Sequence, residues 1–151
     1  MAFIRRFHRF FAVCSTDFYI TAGNDRILDF VMLNIWPMFR HSMHLMFLNS
    51  IAFRRLRQLA PSLLSDCPSL RGVFFGDGIF PAFPPDESAN ASDGQAVTKW
   101  LFTPCPNSLP KVLHFHDFSV AQWSSTIEQI KAAFSNASSP INFGINLCHL
   151  I

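Results

Sequence analysis

Residues 51–75 read IAFRRLRQLAPSLLSDCPSLRGVFF, and the stretch divides into one helix, one turn and one strand. Leu56, Leu59 and Leu63 recur at helical spacing with Arg54, Arg55 and Arg57 between them, so the pattern predicts a helix over about 51–65. Asp66-Cys67-Pro68 closes it, because proline lacks a backbone donor and its ring clashes with the preceding turn. Leu70, Val73 and Phe75 follow in a segment rich in strand formers, which predicts a strand at about 71–75. If this unit recurs, the molecule is a stack of helix–strand pairs, an architecture used more for binding than for chemistry.

The unit does recur on either side. Residues 2–12 read as a helix. Asp17-Phe18-Tyr19-Ile20-Thr21 alternates and predicts a strand. Ala22-Gly23-Asn24 predicts a turn in which Asn24 or Asp25 caps the next helix. That helix is expected from Asp25 to Phe39, with Ile27, Phe30, Val31, Asn34 and Ile35 along one side and Pro37 kinking it or ending it early. His44 to Leu48 predicts a strand apolar on both faces, as in a buried parallel sheet. Beyond the central unit, helices are expected at about 95–102 and 122–135, and strands at 112–116 and 141–147. The expected strand starts near 17, 44, 71, 112 and 142 are separated by about 27 to 30 residues, apart from one longer interval. Residues 76–94, GDGIFPAFPPDESANASDG, lengthen that interval. Their Gly, Pro, Ser, Asp and Asn content predicts an inserted loop, packed down in part by Phe80 and Phe83.

Helices alternating with strands on short links imply right-handed crossovers and a parallel sheet. Cys67, Leu70, Val73 and Phe75 also stand at the offsets of a leucine-rich-repeat strand, Cys-x-x-Leu-x-x-Val-x-Phe. The expected fold class is therefore α/β, a leucine-rich-repeat-like curved β/α solenoid with a parallel sheet of about five strands. It is expected to form one domain over 1–151, with 76–94 as the insertion. A shuffled strand order would give a doubly wound sheet instead, the setting for a small α/β enzyme.

Composition narrows the function classes. Of 151 residues, half are apolar, 18 are Phe and only 15% are charged, which excludes a disordered or coiled-coil chain. The net charge of +2 comes without a basic patch interleaved with aromatics, so nucleic acid is not an expected partner. Arg5, Arg6, His8 and Arg9 break the apolar run that a signal peptide needs. An arginine-rich presequence shares these features, but an ordinary amphipathic helix with Phe3, Phe7, Phe10 and Phe11 on one face is the plainer reading. The most apolar window, Ile27 to Phe53, is interrupted by Asp29, Asn34, Pro37, Arg40 and His41, so no membrane span is expected. The cytoplasm or nucleus follows as the expected compartment. Cys14, Cys67, Cys105 and Cys148 are far apart in sequence and read as reduced, mostly buried thiols.

Chemistry-bearing motifs are scarce. His114 and His116 share a strand face and could pinch a metal, but spacing identifies no third ligand, and two surface histidines are the plainer reading. Gly76-Asp77-Gly78 is a turn, because no Gly-Lys-Ser/Thr follows it. Phe143-Gly144-Ile145 carries no dinucleotide fingerprint, and no serine stands in a nucleophile elbow. Asn90-Ala91-Ser92 and Asn136-Ala137-Ser138 match the glycosylation pattern, which matters only in a secreted protein. No cofactor is expected, and the chain is read as a binder, not an enzyme.

One resemblance sharpens this reading. From about Asn34 onward, several pieces recur in order: Asn34-Ile-Trp-Pro37, Arg55-Leu-Arg-Gln58 with Pro61, Asp66-Cys67, Leu70-Arg71 and Phe80-Pro-Ala-Phe-Pro84. Asp86, Ala89, Ala91-Ser92, Gln95-Ala96, Lys99-Trp-Leu101, Thr103-Pro104, Leu109-Pro-Lys111, Ala133-Phe134, Asn136-Ala137 and Asn142-Phe143 continue the series. In this the chain resembles the C-terminal region of a large nematode family of F-box proteins, expanded in plant-parasitic cyst nematodes. Cys105 and Asn107-Ser108 depart from the charged run usual after Thr-Pro in that family. Members carry an N-terminal F-box that docks on the Skp1-type adaptor of a cullin ubiquitin ligase. This chain opens in what reads as a mid-domain helix, so the F-box and the adaptor contact are expected to be missing. The resemblance implies the substrate-recognition half alone, binding an unknown protein substrate. A truncated paralogue without function is the competing expectation.

The expected binding surface follows from strand alternation. With Phe18/Ile20, Leu45/Phe47, Val73/Phe75, Leu113/Phe115 and Phe143/Ile145 placed inward, the outer face would present Asp17, Tyr19, Thr21, His44, Met46, Phe74, His114, His116, Asn142 and Asn146. Tyr19, His44, Met46, Phe74, His114, His116, Asn142 and Asn146 are the candidate protein-binding residues, with Tyr19 and Phe74 as aromatic anchors. The alternative is a sheet covered on both sides, with these residues in the core.

Overall fold

The computed structural model describes residues 16–20, 25–116 and 120–148. The helix expected over 2–12, Cys14, Thr21 and the turn at Ala22-Gly23-Asn24 lie outside these residues. The elements are β1 (Thr16–Ile20), α1 (Asp25–Phe30), a π-helical turn (Val31–Ile35), α2 (Trp36–Phe39), a 3-10 turn (Arg40–Ser42), β2 (Met43–Leu48), α3 (Ser50–Leu59), β3 (Gly72–Phe75), α4 (Asp93–Phe102), β4 (Lys111–His116), α5 (Val120–Ser135) and β5 (Phe143–Cys148). Every strand begins within a residue or so of its expected start.

Local chemistry explains where the helices depart from expectation. Pro37 neither ends nor breaks the second helical stretch. The backbone widens into the π turn, where the Trp36 N–H reaches the Val31 carbonyl, and Pro37 then falls in the first turn of α2, which needs no donor from it. α3 ends at Leu59, not near residue 65. Ala60, forced out of the helical region by Pro61, adopts φ −142° and ψ 90°, and residues 61–66 continue as turns that still bury Leu63 and Leu64. α4 begins two residues earlier than expected because Ser92 and Gln95 form a reciprocal capping box. At the start of α3 the Asn49 side chain accepts from Ala52 N at 2.8 Å. Asp77, just after β3, takes Ser50 N at 2.6 Å and Ser50 Oγ at 2.7 Å.

The five strands form one parallel sheet in the order β1-β2-β3-β4-β5. Order in the sheet follows order in the chain, so the reversal point at which doubly wound sheets form their ligand crevice does not arise among these strands. Right-handed crossovers repeated in one direction also place their connections on one face. The ring contacts follow this: Trp36 meets Phe18, Phe53 meets Phe75, Trp123 meets Phe115 and Phe102 meets Phe143, with centroids 5.0–5.7 Å apart. All four strand residues point inward. Phe18, Met46, Val73, Leu113 and Ile145 form one inward register row, and Ile20, Leu48, Phe75, Phe115 and Leu147 form the next. Met46, Val73, Phe75, Leu113 and Phe115 are fully or almost fully buried.

The long loop is fastened at both ends. Phe80 packs on Phe115 and Trp123, and Phe83 on Phe102. Ala82 N donates to the Gly94 carbonyl, an approach so close that a Cβ on Gly94 would collide with the Phe80 carbonyl oxygen. Arg57, which is buried, donates to Ser88 O, Ala91 O and the Asp93 carboxylate. Such a fan satisfies the two terminal nitrogens of a guanidinium that would otherwise be costly to desolvate, while its buried Nε has no hydrogen-bond partner among the described residues. Arg55 reaches from α3 to Asp25 and Asp29 on α1. Cys67 is a buried turn thiol donating to Leu63 O, and Cys105 is half-buried, less enclosed than expected. No helix among the described residues is long and apolar enough to cross a membrane.

Candidate protein-binding surface

The opposite face of the sheet meets none of these helix rings. Its central register row runs Tyr19, Phe47, Phe74, His114 and Asn146, one residue from each strand. Because the strands are parallel and in register, identical positions sit side by side, and planar side chains can stack across the sheet. They do so along the row. Tyr19 and Phe47 are stacked with centroids 4.0 Å apart, Phe47 and Phe74 at 4.2 Å, and Phe74 and His114 at 3.9 Å. Asn146 finishes it, its amide nitrogen 3.4 Å from His114 Nδ1. Stacked pairs of this kind contribute roughly 0.5–1.5 kcal/mol each beyond area burial, so the column stiffens the face as well as making it apolar. Tyr19, at the open end, is 67% exposed.

Two further features shape the face. The neighbouring row, Asp17, Leu45, Gly72, Val112 and Gly144, is lower. Leu45 leans over Gly72, while a Cβ on Gly144 would meet nothing within 4 Å. Toward the C-terminal ends of β1, β2 and β3, a groove of about 220 Å³ opens beside Tyr19, Phe47 and Phe74 and is bounded by Gly76 and His116. Burial, with help from the neighbouring His116, holds the pKa of His114 below the ordinary histidine value. In the neutral tautomer that leaves Nδ1 unprotonated, that nitrogen can accept from the Asn146 amide.

Of the candidate residues, Tyr19, Phe74, His114 and Asn146 lie together in the column, and His116 borders the groove. Met46 is misplaced: it is wholly buried on the inward face, and its neighbours Leu45 and Phe47, expected inside, face outward. The register slips between Thr16 and Asp17, which pair with Met43 and Leu45 and skip His44. His44 therefore sits at a bulge, half-buried, with Nδ1 2.7 Å from Ser42 O. Asn142 precedes β5, exposed, and its carbonyl takes Lys111 N. Phe47, the ring that joins Tyr19 to Phe74, was missed. The segment MHLMFL offers apolar side chains to both faces, so alternation alone gave no phase.

His114 and His116 share the outer face, and the described residues contain no group of three or more metal-ligating side chains. Asp77, named above as a turn residue, spends both carboxylate oxygens on Ser50. No protein-family model, curated protein or solved structure matches this chain.

Proposed function

We propose that the chain is a protein-binding module, a leucine-rich-repeat-like curved β/α solenoid that takes a protein substrate on its outer sheet face. In this reading it acts like the substrate-recognition region of the F-box receptors that it resembles, in the cytoplasm or nucleus. The observation that supports it is the stacked column Tyr19, Phe47, Phe74 and His114 on a face that the helix rings leave alone. Contiguous apolar surface of this kind is a poor feature for a free monomer and a good one for a partner. Rigid aromatic anchors lose little conformational entropy on binding.

The test is a Phe74→Ala/His114→Ala double variant, with its fold verified by far-UV circular dichroism. Capture of the partner by this variant is expected to weaken at least tenfold. Undiminished capture by a folded double variant counts against the outer face.

A further inference from the structure

β1 is an edge strand. Among the described residues it pairs with β2 alone, in regular parallel register from Asp17 to Ile20. Such an edge presents unpaired N–H and C=O groups that template a further strand unless proline, lysine or a bulge blunts it. Thr16–Ile20 contains neither proline nor lysine, and its register shift lies between Thr16 and Asp17, outside the regular ladder. The side chains of the outer face are open at this edge as well. The aromatic column ends on Tyr19, whose ring lies 4.0 Å from that of Phe47 with the planes 6° from parallel. The other face of the Tyr19 ring looks past β1, where no described ring meets it, and the residue is 67% exposed. Two residues earlier on the same face stands Asp17, an exposed carboxylate with no ion pair or hydrogen bond among the described residues. Opposite charges facing one another across strands are favourable and like charges are not, so Asp17 turns away an acidic strand and favours a basic one.

Neighbouring strands lie about 4.7–4.9 Å apart, so a parallel strand added to β1 in register carries the column one step further. Its residue opposite Tyr19 covers the exposed ring face best if it is aromatic. Side chains two residues apart share a face, so the residue opposite Asp17 stands two positions earlier. We propose that the edge of β1 takes an extended segment of the protein substrate as a further parallel strand, with an aromatic side chain stacked on Tyr19 and a lysine or arginine two residues before it paired with Asp17. In such an addition the main-chain hydrogen bonds supply affinity and the alternate side chains supply specificity. The proposal rests on the outer face as the binding surface and names the chemistry of the segment bound beside it. This chain's own Arg5-x-Phe7 and Arg9-x-Phe11 repeat the pattern, but they leave only residues 8–15 and 12–15 to return to Thr16, short of the roughly dozen residues that a parallel crossover needs.

Tyr19 is the one tyrosine of the chain, so ring-¹³C tyrosine gives a reporter that needs no assignment. The test titrates the labelled whole chain with the peptide acetyl-Thr-Lys-Val-Phe-Val-Thr-amide. The Tyr19 ring signals are expected to shift upfield and saturate. Three control peptides, with Leu for Phe, with Glu for Lys, and with the sequence reversed, are each expected to bind at least tenfold more weakly. Asp17→Lys is expected to prefer the Glu peptide to the Lys peptide. No shift with the first peptide, equal binding by any control, or an unchanged preference in folded Asp17→Lys overturns the proposal. Should that variant fail to fold, the wild-type titrations still decide. A Phe7→Ala/Phe11→Ala variant is expected to bind as the wild type does. Tenfold tighter binding by it would make the chain's own leading segment the occupant, and Tyr19 signals that move with protein concentration alone would make it a second copy. Either result also overturns the proposal. If the peptide fails while Phe74→Ala/His114→Ala still loses partner capture, the outer face stands and only the edge falls. Peptide binding with undiminished capture by that double variant gives the reverse.

Discussion

The His114 imidazole lies parallel to the Phe74 ring, with centroids 3.9 Å apart and planes 7° from coplanar, while Asn146 approaches its Nδ1 from the next strand. The ring is therefore a stacked member of an aromatic column, and its pKa is held below the ordinary histidine value, chiefly by burial. A group whose folded pKa is depressed stabilises the fold above the unfolded value of about 6.5 and loses that contribution as pH falls through the folded value. Unfolding free energy from urea melts is thus expected to decline below about pH 6.5. The decline should be shallower in His114→Phe, which keeps the stack and removes the titration. Identical pH profiles would show that His114 is not the group responsible.

Met46 and Phe47 are adjacent in sequence and occupy opposite faces, so their truncations should differ in kind. Met46→Ala opens a cavity in the core and is expected to cost about 2–5 kcal/mol. Phe47→Ala removes two stacked contacts on an open face and is expected to cost about 1–3 kcal/mol, with partner binding lost as well. Chemical denaturation of both variants checks the order. A larger loss for Phe47→Ala would reverse the assignment of faces.

Gly94 and Gly144 make a matched pair. A Cβ on Gly94 would meet the Phe80 carbonyl oxygen and Ala82, whereas one on Gly144 would meet nothing. Gly94→Ala should destabilise by about 1–3 kcal/mol, as overpacking does. Gly144→Ala should leave stability within about 0.5 kcal/mol of wild type. Thermal melts of the two variants compare them directly.

Arg57 holds the segment 88–93 to α3 through two carbonyls and Asp93, whose second partner is the exposed Arg54. Arg57→Ala strips a partly buried carboxylate and two carbonyls of their main donor and is expected to cost about 3–5 kcal/mol. Arg54→Ala, at an exposed pair, is expected to cost at most about 1 kcal/mol. Limited proteolysis should cut Arg57→Ala within the loop sooner than wild type, and Arg54→Ala at the wild-type rate.

These contrasts also mark how far the sequence could be read. Strand positions were legible because turn formers and β-rich runs alternate at a near-constant interval, and the parallel sheet followed from that alternation. The phase of β2 was not legible. Met43-His-Leu-Met-Phe-Leu48 is apolar at most positions, and the bulge at His44 comes from pairing with β1, which is a tertiary fact. Tyr19, Phe74 and His114 were placed outward correctly because each stands between two residues that pack inward. Two helix boundaries carry readable signals: Pro61 for the end of α3, and the Ser92/Gln95 pair for the start of α4.

The central claim is that a partner docks on the outer sheet face and not on the helix layer. The most direct measurement places a photo-crosslinking benzoylphenylalanine at Phe47 in one chain and at Ile51, 66% exposed on α3, in another, and compares the adducts formed with the captured partner. The account predicts adducts from position 47 that disappear when Phe74→Ala is added, and none from position 51. Adducts from position 51 alone would contradict it.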